Sequence, residues 1–404
     1  MGADLVIRGA ACVVTCEDGL GVLPGSAVAC EGGRISWIGA DADAPDADEI
    51  VDARGCLVLP GLVDCHTHIV WAGERSGEFE RRLTGVPYTT ILEEGGGILS
   101  TVRATRAAAE DDLVALATAR LRYALSRGVT TVEVKSGYGL EAAAEARILR
   151  AARAAGEAAG VTVTTTFLGA HAIPAEWRHD RAEYVRRVIE EQIPAVAGLA
   201  TAIDVYVDRG AFTLEEGRAI LAAGKAAGLH VRAHSEQVGF TGIAAAAAEL
   251  GALAVDHVEH IDDAGIAAVA RSGAVAVLLP GAMLYLRDPS PPVAKMRAAG
   301  IPLAVATDYN PGSSPVADPW ACGTLAAITM GLTVEEVILG LTRNAARAIG
   351  RPDLGRIAVG LPADLAVMRP PPGFPVTPAG LVQPLGGPVA HAVIRGGRRA
   401  ILGR

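Results

Sequence analysis

The sequence predicts an α/β fold, a TIM (β/α)8 barrel with a small β-sandwich module formed from both chain ends. Two observations support this fold class. Eight β-rich segments lie between residues 62 and 310, mostly separated by helical spacers, and short strand-like segments fill both ends of the chain. Eight strand–helix units in roughly 250 residues are typical of this barrel. A doubly wound sheet is the alternative fold, but it would not require eight units.

The chain ends are rich in short strands and turns. Residues 1–60 contain segments such as ADLVIRG and EIVDARGCLVLPG, with a hairpin signal at Gly32-Gly33. Segments such as GRIAVGLPADLAVM give the tail the same character. We therefore expect 1–60 and 355–404 to fold together as one composite module, and 61–354 to form the barrel.

The eight predicted barrel strands are short segments rich in apolar and β-branched residues. In chain order they cover residues 62–68, 129–137, 161–171, 202–208, 229–237, 253–260, 274–281 and 301–310. Spacers such as EDDLVALATARLRYALSRG have helical periodicity. No GxGxxG motif or P-loop follows any of these strands, so the sequence predicts no nucleotide-phosphate site.

The composition restricts the class of partner. The 404 residues carry a net charge of −9 and only 4% aromatic residues, which argues against nucleic acid and anionic membranes. A small anionic substrate remains compatible with this charge. The six cysteines show no C-x-x-C spacing and are interpreted as buried thiols in a reducing compartment. Without a long apolar segment or a basic n-region, a cytoplasmic location is expected.

Ionisable residues gather at the predicted C-terminal ends of the strands, where TIM barrels have their active sites. The strongest signal is His66-Thr67-His68, because alternate side chains of a strand project to one side and two imidazoles can bind one metal. His234 ends the fifth strand and Asp308 the eighth. Three histidines and one aspartate, with room for water, are typical of an open catalytic metal site.

Further candidates lie near the same rim. A lone histidine on an apolar strand is more often structural, but the rim position of His171 and His257 favours function. Lys135 ends the second strand, where a carbamylated lysine bridging two metals is not expected. We interpret it as a charge or hydrogen-bond partner inside the mouth. Arg75 lies in a loop above the barrel, where its planar guanidinium suits a substrate carboxylate.

Several motifs carry a family likeness over residues 56 to 365. PGLVDCHTH and GRIAVGLPADLAV resemble the amidohydrolase superfamily. HIVWAGER, YTTILEEGGGILSTVRATR, VEVKSGYGL, FLGAHAIP, AVLLPGA and ATDYNPGSSP together resemble the imidazolonepropionase family. The resemblance implies hydrolytic ring opening of 4-imidazolone-5-propanoate to N-formimidoyl-L-glutamate in histidine degradation, by a metal-activated water.

The resemblance also implies roles for individual residues. One metal ion per subunit, zinc or iron, would be bound by His66, His68, His234 and Asp308. His257 would be the acid/base residue, with Asp308 sharing that duty. The implied substrate-binding residues are Arg75, Tyr138, His171, Gln237, Asn310, Gly312 and Ser313. The family further suggests a homodimer.

The sequence departs from the family pattern after the fifth strand. Ser235 stands where alanine is expected, and Gln237 stands where some members carry glutamate. A glutamine can orient a ring nitrogen or an amide but cannot accept a proton, which moves the acid/base duty to His257 and Asp308.

Two alternative functions stay open at this point. Another mononuclear amidohydrolase, such as a heterocycle deaminase, would need an extra acid beside the fifth-strand histidine, a possibility that Glu236 and Gln237 leave open. A non-catalytic barrel that serves as a binding or scaffold protein predicts loss of the ligand set, yet all four candidate ligands are present.

Overall fold

The computed structural model describes residues 2–86, 90, 91, 94–208 and 210–402, without the side chains of 401 and 402. Three β-sheets form within these residues, of eight, six and four strands. The strands are Ala3–Arg8 (β1), Cys12–Val14 (β2), Val22–Pro24 (β3), Ser26–Glu31 (β4), Arg34–Ala40 (β5), Ala47–Asp52 (β6), Leu57–Pro60 (β7), Leu62–Asp64 (β8), Val129–Lys135 (β9), Thr162–Ala170 (β10), Ala202–Val207 (β11), His230–Ser235 (β12), Ala254–His257 (β13), Val275–Leu278 (β14), Leu303–Val305 (β15), Leu365–Arg369 (β16), Val389–Arg395 (β17) and Arg398–Leu402 (β18).

Helices fill most connections between the barrel strands. They are Ser76–Leu83 (α1), Ile98–Ala107 (α2), Glu110–Ser126 (α3), Ala142–Ala159 (α4), Arg181–Arg187 (α5), Ile193–Ala195 (α6), Leu214–Ala226 (α7), Ile243–Glu249 (α8), Asp263–Ser272 (α9), Pro280–Leu286 (α10), Val293–Ala298 (α11), Pro319–Met330 (α12), Val334–Gly340 (α13), Arg343–Ala348 (α14) and Pro378–Val382 (α15). Short 3-10 turns occur at Asp41–Asp43 and Ala175–Trp177, and one π-helical turn, Val188–Gln192, joins α5 to α6. In the described part of the chain, no helix combines the length and apolarity needed to cross a membrane.

The eight-stranded sheet is the predicted barrel. Strands β8 to β15 lie side by side in chain order, and all neighbouring pairs are parallel. The first and last strands meet just beyond their ends, through a parallel bridge between Thr67 and Tyr309. The Asp308 N–H donates to the His66 carbonyl at 2.9 Å, and the His68 N–H donates to the Tyr309 carbonyl at 3.1 Å. The TIM barrel is therefore confirmed.

All eight predicted barrel strands are present, but they end earlier than the sequence suggests. At three of them the backbone leaves the extended conformation at a polar residue with positive φ: Glu236 (50°), His257 (77°) and Asp308 (51°). A β-strand does not pass through this region of φ/ψ space, and non-glycine residues rarely adopt it. Each of these three strands therefore ends at or shortly before the polar residue with positive φ.

The chain ends form the predicted composite sandwich. The four-stranded sheet contains β1, β4, β5 and β6, whereas the six-stranded sheet combines β2, β3 and β7 with β16, β17 and β18. Antiparallel pairing of β16 with β7 joins the two ends of the chain. Side chains from both ends, including Leu5, Val58 and Val367, share one buried apolar cluster. The division at residues 60 and 355 stays a prediction.

Candidate metal-dependent active site

Three histidines and an aspartate converge at the C-terminal ends of the barrel strands. His66 and His68 follow β8, His234 lies in β12, and Asp308 follows β15; all four are buried. The Asp308 Oδ1 atom is 3.4 Å from both His66 Nε2 and His68 Nε2. His68 Nε2 is also 3.4 Å from His234 Nε2. The structure thus brings together the four predicted ligands, although their role as ligands stays a prediction.

These separations fit one metal ion. Two ligand atoms, each about 2.1 Å from a tetrahedral ion, lie about 3.4 Å apart. The buried Nε2 atom of His66 has no hydrogen-bond partner among the described residues. Leaving such an atom unpaired is costly, and binding a cation would satisfy it. The donor set of imidazole nitrogen and carboxylate oxygen suits zinc and iron equally well.

The protonation states also suit a cation. Burial lowers the pKa of both His66 and His68 well below the usual value, which favours the neutral, ligating imidazole. Burial raises the pKa of Asp308 well above its usual range. A cation beside this carboxyl group would favour its ionised form instead.

His257 lies at the same centre. Its ring centroid is 5.4 Å from that of His234 and 5.7 Å from that of His66. Ligating atoms of His66, His234 and His257 lie within 4.8 Å of one another, as do those of His66, His68 and Asp308. His257 is therefore close enough to act either as a metal ligand or as an acid/base residue. The metal content of a variant without His257 distinguishes the two roles.

Two aspartates that the sequence analysis missed orient the histidines. His66 Nδ1 is 2.8 Å from Asp256 Oδ2, and His234 Nδ1 is 3.0 Å from Asp204 Oδ2. A carboxylate that accepts a hydrogen bond from Nδ1–H keeps the proton on Nδ1. The unprotonated Nε2 atom is then available to bind a metal. The signal was a single acidic residue inside each otherwise apolar strand, AIDVYV and AVDH.

The structure shows Lys135 as a buried charge and hydrogen-bond partner of three carboxylates. Its side chain is fully buried, and the ammonium group donates to Glu133 at 3.0 Å, Asp204 at 2.7 Å and Asp256 at 3.3 Å. A buried ammonium group needs such counter-charges, and they lie on the Nδ1 side of the histidines. Burial opposes its charge, but the three carboxylates raise the pKa of Lys135 above its usual value.

Two other predicted substrate residues pack against the histidine cluster. The His171 ring stacks on His68 with centroids 5.0 Å apart, and the buried Tyr138 ring lies 5.7 Å from His171. His171 Nδ1 donates to the Gly137 carbonyl at 3.1 Å. Burial lowers the pKa of His171 to about 3, so its ring is neutral and Nε2 is an acceptor.

The loop after Asp308 is held together by Asn310. Its side-chain oxygen accepts from the backbone N–H groups of Gly312 and Ser313, both at 2.8 Å, and its amide nitrogen donates to the Asp308 carbonyl at 2.7 Å. These bonds fix the loop next to the candidate ligand. Gln237 is buried directly after β12.

Arg75 packs against this loop. Its Nε donates to Glu78 at 2.9 Å. A Cβ atom added to Gly312 would lie 1.9 Å from Arg75 Nη1, so the guanidinium occupies the space that any larger residue would fill. Arg75 and Gly312 also line a cavity of about 410 Å³ together with Trp71, Arg120 and Tyr309. The arrangement places a cation against the loop that follows Asp308.

Glu236 is the acid that the deaminase alternative would use. Its Oε1 atom accepts from the Thr241 hydroxyl and from the Ala244 N–H, both at 3.2 Å. This oxygen stabilises the turn that leads into α8, whereas the buried Oε2 atom has no hydrogen-bond partner among the described residues.

Comparison with known proteins gives a consistent relationship over most of the chain. Residues 57–396 match the model of the amidohydrolase family. The chain is 50% identical over 357 residues to the imidazolonepropionase of Caulobacter vibrioides, covering 87% of this chain and 89% of that protein. It is 48% identical over 387 residues to the imidazolonepropionase of Stenotrophomonas maltophilia, covering 94% and 93%.

Solved structures show the same fold at lower identity. An adenosine deaminase from Xanthomonas campestris with bound zinc superimposes with a TM-score of 0.73 at 20% identity, covering 99% of this chain and 93% of that one. Atrazine chlorohydrolase from Arthrobacter aurescens, complexed with zinc, gives a TM-score of 0.70 at 18% identity, covering 98% and 95%.

Proposed function

Because the chain belongs to the amidohydrolase family, and within it to the imidazolonepropionases, we propose that it hydrolyses 4-imidazolone-5-propanoate to N-formimidoyl-L-glutamate. The observation that carries the proposal is the convergence of three histidines and Asp308 in a chain 50% identical to an imidazolonepropionase over most of its length. The reaction cleaves a C–N bond of a cyclic amide and is a step of histidine degradation.

The chain needs a divalent metal for this chemistry. We propose that His66, His68, His234 and Asp308 hold one ion per subunit. When bound, the ion supplies Lewis acidity that activates water and polarises the ring carbonyl. Elemental analysis of the protein as purified distinguishes zinc from iron, since both accept this donor set.

The chain's own residues move the proton. Water adds to the ring carbonyl carbon, the carbon–nitrogen bond of the ring breaks, and the leaving nitrogen takes a proton. His257, with Asp308 beside the same centre, is proposed to accept the proton from water and to return it to this nitrogen. Burial lowers the pKa of His257 well below its usual value, so the ring is neutral and able to accept a proton.

Other residues position the substrate. Arg75 is proposed to bind the propanoate, and Tyr138 and His171 to contact the ring beside His68. Gln237 is proposed to orient a ring nitrogen. Three residues of the loop after the last barrel strand are proposed to contact substrate or product: Asn310, Gly312 and Ser313. A deaminase reaction is less favoured because the chain is 48–50% identical to imidazolonepropionases over most of its length.

The direct test is an assay with freshly prepared 4-imidazolone-5-propanoate. We expect loss of its ultraviolet absorbance and formation of N-formimidoyl-L-glutamate, identified by mass spectrometry. Chelator-treated protein serves as the control, and returned zinc or iron should restore the rate. Metal-loaded protein that leaves the substrate unchanged contradicts the proposal. We also propose that the protein forms a homodimer. Light scattering during size-exclusion chromatography would measure its molar mass.

Gly312→Ala is expected to weaken substrate binding without loss of metal. The added methyl group would collide with the Arg75 guanidinium, which must then move. Overpacking of this kind typically costs about 1–3 kcal/mol. If that cost falls on substrate binding, we expect kcat/KM to fall about 5- to 160-fold, mainly through KM. Steady-state kinetics and metal analysis measure both effects.

Gly77→Ala is the matched control, because a Cβ at Gly77 in α1 would contact none of the residues that the structure describes. In an Arg75→Ala background, Gly312→Ala should lower kcat/KM only slightly further. An equal loss of kcat/KM in the parent and the Arg75→Ala backgrounds would show that the collision with Arg75 is not the cause.

A further inference from the structure

Lys135 contacts both aspartates that orient the candidate ligands. Asp204 Oδ2 is 2.7 Å from the Lys135 ammonium and 3.0 Å from His234 Nδ1. Asp256 Oδ2 is 3.3 Å from the ammonium and 2.8 Å from His66 Nδ1. In each aspartate, one and the same oxygen contacts the lysine and a histidine. The ammonium group therefore fixes the two atoms against which the imidazoles are aligned.

The topology allows one side chain to do this. Lys135 ends β9, Asp204 lies in β11 and Asp256 in β13, so the lysine reaches across the barrel interior to two non-adjacent strands. Its third hydrogen bond goes to Glu133 on its own strand at 3.0 Å. An ammonium has three donors, and each meets one carboxylate.

A second buried cation lies in the same cluster. Arg232 donates to both oxygens of Asp256, at 3.1 and 2.9 Å, and to the carbonyls of Cys65 and Ala348. Two cations thus face three carboxylates, Glu133, Asp204 and Asp256. Within the described part of the chain, Arg232 bonds to Asp256 and not to Asp204, so Lys135 is the cation that contacts both.

We propose that Lys135 is a positioning residue for the metal site. By holding Asp204 and Asp256, it orients His234 and His66 together, with both Nε2 atoms directed at the shared centre. The proposal rests on the proposed metal-dependent function. Its consequences can be measured as metal affinity in the absence of substrate. It assigns a task to a buried charge that the reaction itself does not use.

Lys135→Met tests the proposal through zinc affinity, measured on the full chain by competition with a chelator. Loss of a group that supports metal-binding histidines typically costs about 10–100-fold in affinity, and we expect a rise in Kd of that size. Lys295→Met is the matched control, since Lys295 pairs with Asp263 at the surface and should bind zinc like the parent chain. An unchanged Kd in Lys135→Met overturns the proposal.

A double variant separates the positioning effect of Lys135 from its effect on the net charge of the cluster. It also limits the risk that the variant fails to fold. Lys135→Met with Glu133→Gln removes one positive and one negative charge, so the net charge of the cluster is preserved. If Lys135 acts by position, this variant still loses about 10–100-fold in zinc affinity. If its affinity equals that of the parent chain, only charge balance matters and the proposal is wrong.

The histidine tautomers give a readout that a purely structural role would not change. In metal-free protein, ¹⁵N shifts of His66 and His234 should report a proton on Nδ1, and the double variant should show mixed tautomers at both rings. Unchanged tautomers overturn the proposal. A chain that meets these expectations yet leaves the imidazolone intact would contradict the proposed function and leave the role of Lys135 standing.

Discussion

His257→Ala is expected to lower kcat by about 10²–10⁴-fold while the protein keeps its metal. The His257 ring lies 5.4 Å from His234 and 5.7 Å from His66, close enough to reach a water held at the same centre. It is fully buried and neutral, so it can accept a proton and pass it on. Steady-state kinetics combined with elemental analysis measures the two quantities together.

The same experiment assigns the role of His257. If the metal content falls in parallel with kcat, His257 is a ligand and not the acid/base residue. If both kcat and metal content stay near those of the parent chain, the residue is structural. His179→Ala is the control for loss of a histidine, because His179 is exposed and is not one of the candidate site residues.

Arg75→Ala is expected to lower kcat/KM by about 2–4 kcal/mol, or roughly 30- to 1000-fold, with metal content intact. The guanidinium packs against Gly312 at the rim, with Nε held by Glu78 at 2.9 Å. A planar, two-pronged cation suits a carboxylate, and a lysine does not reproduce this geometry. Arg75→Lys should therefore raise KM clearly, though less than Arg75→Ala.

An imidazolone without the propanoate sharpens this test. The parent chain should turn it over poorly, and Arg75→Ala should turn it over no worse than the parent does. Arg103→Ala, at an exposed helical arginine, controls for removal of a guanidinium. If Arg75→Ala impairs both substrates equally, the residue supports the loop or the metal site and the propanoate assignment is wrong.

The barrel and the convergence of the candidate ligands could be predicted because they depend on local periodicity. His66 and His68 share one side of a strand by alternation, and counting strands places His234 and Asp308 at the same rim. Asp204 and Asp256 could not be assigned in this way. Asp256 reaches His66 from a strand that is not a neighbour of β8, so their contact depends on how the whole barrel closes.

The ends of the strands were also beyond prediction from sequence. His257 and Asp308 adopt positive φ, a conformation that costs energy and persists only where the surrounding structure enforces it. Histidine and aspartate adopt positive φ more often than other non-glycine residues, but this preference is too weak to locate the turns in VDH and ATDYN. The partners of Lys135 were beyond prediction for a similar reason, since its three carboxylates lie on β9 itself and on two distant strands.

The bridge between the first and last barrel strands ties metal binding to the order of folding. The hydrogen bond that closes the barrel joins the His66 carbonyl to the Asp308 N–H, so two candidate ligands are also the closing residues. Contacts between such distant parts of a chain form late and slowly. A nascent chain that has not yet reached Asp308 therefore lacks both the closing seam and a complete ligand set, and tight metal binding would mark the completed barrel.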